Sequence, residues 1–335
     1  MTPRPLFATF LTALVVSAST PARAAELPLP AQSATEPAPR AWRGTTLVYD
    51  NALSAPSLVK SADLTWNPYY VQSLSFRPEW HFGETAAVRA RFDMEKELTN
   101  SDDTTRYHEL ILGDVSLEGT GQLFEERRTG IKLTGTLRAI GPLSKASQAQ
   151  TLVVGFQSAL GASRKFDVLS GLSVSYALGG GMNVHRYTTA QYDAPTIACQ
   201  LADECARFVN TGLRNSHFSL NNGPTVALAV TPKLSITSVF LFRKSFLYAL
   251  TPTSVSAATG AVSPDPSNDV SVRSGQRFLV DLSYQVNDQL GVSFGMLSDY
   301  ADLAPDGTLR TPFANRLTSF YFDLSVDLES AARRF

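Results

Sequence analysis

The chain has 335 residues, 44% of them hydrophobic and 18% charged, and its 29 basic and 30 acidic residues give a net charge of −1. A chain this close to neutral has no general attraction for nucleic acid, so nucleic acid is not expected as a partner. After the first 20 residues no run of about 18 uncharged apolar residues occurs, which excludes a bundle of membrane-spanning helices, and with two Cys and four His no metal site or other cofactor is expected.

Residues 1–24 have the features of a cleaved signal peptide. Arg4 precedes an apolar stretch over 6–16, and Ala22-Arg23-Ala24 provides the small residues of a cleavage site. The stretch is too short for the alternative of a helical membrane anchor. We therefore expect export of the mature chain from residue 25. Residues 25–44, rich in Ala, Pro, Glu and Ser, are predicted to be a flexible leader.

Residues 45–335 are predicted to form one β-barrel, because apolar and polar residues alternate with a period of two from about residue 68 onward. The alternating stretches run for about 9–14 residues, which exceeds the usual soluble strand and suits a tilted strand that crosses a bilayer. The pattern predicts eleven strands, over 68–82, 86–98, 108–117, 130–140, 150–160, 168–187, 216–230, 234–248, 273–286, 290–299 and 314–328.

Short and long connections alternate along the chain. Three-residue turns at 83–85, 231–233 and 287–289 keep the apolar residues of both flanking strands on one face. The other connections are long, at 99–107, 141–149, 189–214, 249–271 and 300–313. Short periplasmic turns with long outer loops are typical of outer-membrane barrels. The connection 118–129 does not fit, because it is predicted as a long periplasmic turn.

The strand number and one strand assignment stay open. A barrel with both chain ends on the periplasmic side needs an even number of strands. A first strand at 45–49 or within 58–66 would raise the eleven predicted strands to twelve. Barrels of ten or fourteen strands are the alternatives. The apolar residues of 86–98 also fit one face of a helix. A strand is favoured, because the turn at 83–85 then keeps the apolar residues of 86–98 on the same face as those of 74–82.

A soluble β-sandwich would also show alternation, with its apolar face inward. Long strands and a small or charged opposite face favour lipid on the outside instead. Aromatic residues gather near strand ends, as in two interfacial girdles, at Tyr69, Tyr70, Trp80, Phe82, Tyr187, Tyr248, Tyr300 and Phe313. We therefore predict an all-β, antiparallel, up-and-down transmembrane barrel, most consistent with twelve strands.

On these features the chain resembles bacterial outer-membrane β-barrel proteins of the porin-like or small-substrate-channel type. The resemblance implies an outer-membrane location, with outer-membrane lipids and the barrel-insertion machinery as partners. Barrels of this class often finish in an alternating strand with a terminal Phe. Here Phe335 is terminal, but six residues separate it from the alternation that ends at Leu328.

If Trp80 and Phe92 face lipid, the alternate positions face the lumen. The predicted lumen-lining residues are Arg77, Glu79, His81, Arg89, Arg91, Asp93, Glu95, Lys132, Arg138, Arg277, Asp281 and Asp323. Two hairpin registers are open: one opposes Glu79 to Arg89, and the other opposes Glu79 to Arg91 and Arg77 to Asp93. Either register places opposite charges on neighbouring strands.

The lining predicts a passive channel for small polar solutes, with no enzymatic activity. One alternative is a closed barrel in which these charges pair and fill the interior. Another is a surface receptor, adhesin or structural barrel that acts through the loops 189–214 and 249–271.

A remote alternative is a lipid hydrolase, because His217-Phe218-Ser219 is similar to the His-x-Ser pair of the outer-membrane phospholipase. The alternation along this strand puts Ser219 on the lumen side, away from lipid. No catalytic residue is therefore assigned.

Cys199 and Cys205 lie in the longest outer loop. In an oxidising compartment two nearby Cys are expected to form a disulfide. A metal set of these two with Asp203 and Glu204 is the less favoured interpretation.

Overall fold

The computed structural model describes residues 40–58, 68–99, 109–193, 208–249, 271–302, 307–315 and 317–333. These residues form a closed, antiparallel β-barrel with twelve strands in its wall. The predicted fold class and the predicted strand number are both confirmed.

The described strands are β1 (Thr46–Ser54), β2 (Tyr70–Arg77), β3 (Glu79–Phe82), β4 (Ala86–Glu97), β5 (Leu110–Leu112), β6 (Val115–Glu126), β7 (Ile131–Gly141), β8 (Leu152–Phe166), β9 (Leu172–His185), β10 (Thr189–Asp193), β11 (Phe208–Arg214), β12 (Ser216–Ala229), β13 (Leu234–Leu247), β14 (Val272–Gln285), β15 (Leu290–Ala301) and β16 (Thr318–Asp327). The described helices are α1 (Ala55–Leu58), α2 (Lys145–Ala149) and α3 (Leu328–Ala332). None of these helices has the length and apolar composition needed to cross a bilayer.

Two wall strands are each interrupted once. β2 and β3 are one strand broken at Pro78, which has no backbone N–H, yet Ala90 N still donates to Pro78 O at 2.9 Å. β5 and β6 are one strand with an irregularity at Gly113, whose N donates to Asp93 O at 2.8 Å. β10 and β11 pair only with each other, so they form a hairpin outside the wall.

The barrel closes through β1, which pairs with both β2 and β16. The first strand is therefore the candidate at 45–49, extended to Ser54. The start of β1 and the end of β16 lie at the same end as the turns 83–85, 127–130, 167–171, 230–233 and 286–289. We call this the short-turn end and the opposite one the long-loop end.

The hairpin registers keep the predicted parity. Leu228 lies opposite Ile236 across one short turn, and Leu282 lies opposite Phe294 across another. The segment 86–97 is a strand, β4, so the helical alternative for it is wrong.

The prediction of a long turn at 118–129 is wrong. β6 continues to Glu126, and the turn contains only residues 127–130. The Glu126 carboxylate closes this turn by accepting from Arg128 N at 3.1 Å and from Thr129 N at 2.8 Å.

Residues 40–44, which composition assigned to the leader, form a turn bonded to β3. His81 N donates to Ala41 O at 2.6 Å, and Arg43 Nη2 donates to Gly83 O at 2.7 Å. The rest of the leader and the signal peptide lie outside the described residues, as do Cys199 and Cys205.

Large apolar side chains project from the outer surface of the wall. Leu137 is 70% exposed, Phe294 57% and Trp80 52%. A soluble protein would bury such rows, whereas a bilayer solvates them.

Tyr300, one of the predicted girdle residues, is buried rather than exposed at a membrane interface, with only 4% of its surface exposed. Beside it, Phe313 packs edge-on against Phe278 with ring centroids 5.1 Å apart, which places the 311–315 segment against the outer wall.

Candidate functional site in the barrel interior

The strand registers place all twelve predicted lumen-lining residues on the face opposite the exposed apolar rows. They are Arg77 on β2, Glu79 and His81 on β3, Arg89, Arg91, Asp93 and Glu95 on β4, Lys132 and Arg138 on β7, Arg277 and Asp281 on β14, and Asp323 on β16. The interior of the barrel is therefore the candidate site.

Four of the inward charges form a ladder along one wall. Glu79 lies opposite Arg89, Arg89 opposite Glu118, and Glu118 opposite Arg138, so the sign alternates from strand to strand. Arg89 Nε donates to Glu79 Oε2 at 2.6 Å, and Arg138 Nε donates to Glu118 Oε2 at 2.6 Å. His81 Nε2 lies 2.8 Å from Glu79 Oε1. The first of the two predicted registers is the one formed.

The second predicted register is wrong, because Asp93 lies opposite Ser75 rather than Arg77. Asp93 instead pairs with Arg91 on its own strand, Nε to Oδ2 at 2.8 Å, and accepts a hydrogen bond from the Ser75 hydroxyl. Arg77 Nε donates to Ser75 Oγ at 3.1 Å. These contacts bind the side chains of β2 and β4 into one polar network.

A second charged group lies on the opposite side of the barrel, on β13, β14 and β15. Arg277 Nε donates to Asp299 Oδ2 at 3.0 Å, and Arg243 Nη2 donates to Asp299 Oδ1 at 3.3 Å. Sequence reasoning named Arg277 but missed Arg243 and Asp299. Their positions in the alternation of β13 and β15 were the available signal.

An apolar cluster points into the lumen next to this group. Leu279, Leu297 and Tyr321 are at most 8% exposed and pack with Ala52 and Val239. Beyond it, Asp281 accepts from the Tyr321 hydroxyl at 2.8 Å and from the Ser283 hydroxyl. The interior thus has an apolar layer that separates two polar levels.

The wall formed by β8, β9 and β12 carries small inward residues instead. They include Gly155, Ala159, Gly161, Ala177, Gly179 and Gly181. Ala177 is exposed although it faces inward. On the charged wall, the side chains of Arg138 and Arg89 are 38% and 31% exposed. Solvent therefore reaches the interior beside the ladder.

The His-x-Ser pair is not assembled for catalysis. Ser219 is fully buried on the inward face, and its Oγ has no hydrogen-bond partner among the described residues. The His217 ring stacks on Tyr248 instead, with centroids 4.2 Å apart. A nucleophile needs a hydrogen-bonded base, and this arrangement does not supply one.

Replacing Glu118 by Gln tests the ladder. The change leaves Arg89 and Arg138 side by side without the carboxylate between them, in a site where Glu118 is 15% and Arg138 38% exposed. Because water screens Arg138, we expect a loss of about 1–2 kcal/mol in the free energy of unfolding, less than for a fully buried pair. Guanidinium titration of the barrel folded in lipid vesicles measures it.

The matched control is Glu125→Gln. Glu125 pairs with Lys132 at 3.3 Å, but both side chains are more than 40% exposed. This change is expected to cost less than about 1 kcal/mol. Equal losses in the two variants would mean that the ladder contributes no more than a surface ion pair.

The barrel is closed, its outer surface is apolar, and its charged interior is accessible to solvent. These features define a transmembrane β-barrel of the outer-membrane class. No family model matches the chain, and no curated protein matches it.

Solved structures that resemble the chain include outer-membrane barrels. The NanC porin is 8% identical with a TM-score of 0.43, over 84% of this chain and 98% of that one. The translocator domain of the autotransporter NalP from Neisseria meningitidis is 9% identical with a TM-score of 0.40, over 84% and 85%. The beta domain of the Bordetella autotransporter Brka is 8% identical with a TM-score of 0.39, over 85% and 99%. The class assignment rests on the barrel itself, not on these distant likenesses.

Proposed function

We propose that the protein is a passive channel for small polar solutes in the outer membrane. The observation that supports it most is the direction of the interior ion pairs. Glu79–Arg89 and Glu118–Arg138 each join neighbouring strands, and Arg277–Asp299 does the same on the other side. Such pairs neutralise charge along a wall without bridging the lumen.

This pairing supports an open passage over the alternative of a closed, plugged barrel. A plug of charges needs contacts between opposite walls, because unpaired buried charge is costly. Across the lumen from the ladder, Arg243 and Arg277 pair with Asp299 on their own side. The neighbouring wall of β8, β9 and β12 presents small residues such as Gly and Ala to the lumen. The geometry therefore favours a polar passage bounded by charged groups on two opposite sides and by a small-residue wall between them.

The size of the barrel limits the solutes. Twelve strands enclose a narrower interior than the 16 or 18 strands of large porins. The apolar cluster of Leu279, Leu297 and Tyr321 narrows it further on one side. Passage of small polar molecules suits this narrow interior better than unselective passage of larger solutes. The proposal includes export through the signal peptide, membrane insertion by the barrel-insertion machinery, and lipid contact around the outer surface.

Purified, folded protein in planar bilayers is expected to give a steady ion current. Ala177 faces the lumen on the small-residue wall, so Ala177→Trp should reduce the single-channel conductance roughly twofold by filling the passage. The matched control is Val174→Trp, which places the same ring on the lipid face of the same strand and should leave the conductance unchanged.

A folded barrel that carries no current would overturn the channel proposal. The function would then be sought in surface recognition, which the hairpin of β10 and β11 outside the wall favours.

A further inference from the structure

The group on β13, β14 and β15 contains more positive than negative charge. Arg243, Arg273 and Arg277 all lie on the inward parity of β13 and β14, towards the long-loop end. Asp299 is the carboxylate that both Arg243 and Arg277 contact. Three guanidinium groups against one carboxylate leave this arginine cluster with a net charge of +2.

Gly275 leaves room for the Arg243 side chain. It lies on β14 directly opposite Arg243, between Arg243 and the strand that carries Asp299. A Cβ at this position would stand 3.4 Å from Arg243 Nη2 and 3.0 Å from Tyr300 O. Because no side chain occupies this place, the Arg243 guanidinium crosses β14 and reaches Asp299 two strands away.

Among the described residues, the next acidic group along the inward face of β14 does not neutralise the cluster. Asp281 lies on β14, four positions beyond Arg277, and Leu279 and Leu297 of the apolar cluster lie between them. Both Asp281 oxygens accept hydroxyl groups, from Tyr321 and Ser283. At the long-loop end, Glu95 and Glu97 belong to β4, on the far wall.

Arg273 is the member of the arginine cluster nearest the mouth. Arg273 is exposed and lies opposite Ser245, a residue with no charge of its own. A cation that stays solvent-exposed beside other cations is an electrostatic site for an incoming anion.

We propose that the arginine cluster binds a small oxyanion, such as a carboxylate or phosphate group, as a solute enters from the long-loop end. This proposal rests on the channel function and narrows its substrate class to solutes that carry such a group. Planar guanidinium groups bind two oxygens of a carboxylate or phosphate at once. Arg243 and Arg277 are held in place by Asp299, whereas Arg273 completes the site from the mouth.

Block of the channel by inorganic phosphate tests the site. Phosphate added on the long-loop side should reduce the single-channel chloride current, and Arg273→Gln should raise the half-blocking concentration about tenfold, as expected for loss of one charge-assisted contact. Gly275→Leu, which occupies the path of Arg243, should raise it as well. Arg164→Gln is the matched control, because Arg164 lies on the outward face of β8 over the Phe166 ring.

Calorimetric binding of phosphate to the full chain in detergent separates the two proposals. Phosphate binding that is weakened by Arg273→Gln, in a barrel without current, would keep the oxyanion site and overturn the channel. Current without any phosphate block, or an equal block in wild type and Arg273→Gln, would keep the channel and overturn the oxyanion site.

Discussion

Replacing Leu137 by Arg is expected to destabilise the inserted barrel by about 2–4 kcal/mol, the cost of a cation near the bilayer midplane on the lipid face. Leu137 lies within β7 and is 70% exposed on the outer surface. Its neighbours on the adjacent strands are Gly119 and Ser158, which provide no carboxylate for the new charge.

The adjacent residue supplies the control. Thr136 lies on the inward face of β7, opposite Thr120 and Ala159. Thr136→Arg should therefore change the free energy of unfolding far less, because the guanidinium enters a solvated lumen that already accepts Arg138. Guanidinium titration of both variants in lipid vesicles measures the difference. A larger loss for Thr136→Arg than for Leu137→Arg would show that the apolar rows pack inward, as in a water-soluble β-protein.

The strand pattern was predictable because lipid and lumen impose opposite demands on successive residues. A three-residue turn then carries the parity from one strand to the next, as at 83–85. The pattern failed at β6, where the outward positions include Gly119 and Gly121. Small residues give no apolar signal, and the charged end at Glu125 and Glu126 looked like a turn.

Parity also predicted which side chains face the lumen, but not how they pair. The choice of Glu79 opposite Arg89 depends on turn geometry, which the two registers satisfied equally in the sequence. Glu118 was not predicted to line the lumen, because the predicted strand ended at residue 117, whereas β6 continues to Glu126. The contact of Arg243 with Asp299 joins side chains from β13 and β15 across Gly275, so it requires knowledge of three strands together.

Alternation predicted the direction of aromatic residues better than their surroundings. Tyr321 alternates with two outward Phe residues and points into the lumen, as the pattern predicts, but its contact with Asp281 was not predictable. Tyr300 points outward yet is buried rather than exposed at a membrane interface. Tyr combines an apolar ring with a hydroxyl, so its place depends on whether a hydrogen-bond acceptor is near.

At Gly223, on β12 in the wall, even a methyl group is expected to be disruptive. A Cβ on Gly223 would overlap the carbonyl oxygen of Phe240 and stand 2.9 Å from Leu241 Cα. Both atoms belong to the backbone of β13, which is fixed by its pairing with β14. We therefore expect Gly223→Ala to cost about 3 kcal/mol or to prevent folding, because the backbone of one strand must move away from its neighbour.

Gly119→Ala is the matched control for this substitution. Gly119 also lies within a wall strand, but its Cβ would meet only Val88 Cγ2, at 4.0 Å. The control should fold as wild type does, with a change in the free energy of unfolding below about 1 kcal/mol. Heat-modifiable migration in gels and guanidinium titration report both variants. If Gly223→Ala were as stable as Gly119→Ala, the close approach of β12 to β13 would be wrong. Because β13 carries Arg243, that result would also weaken the oxyanion site.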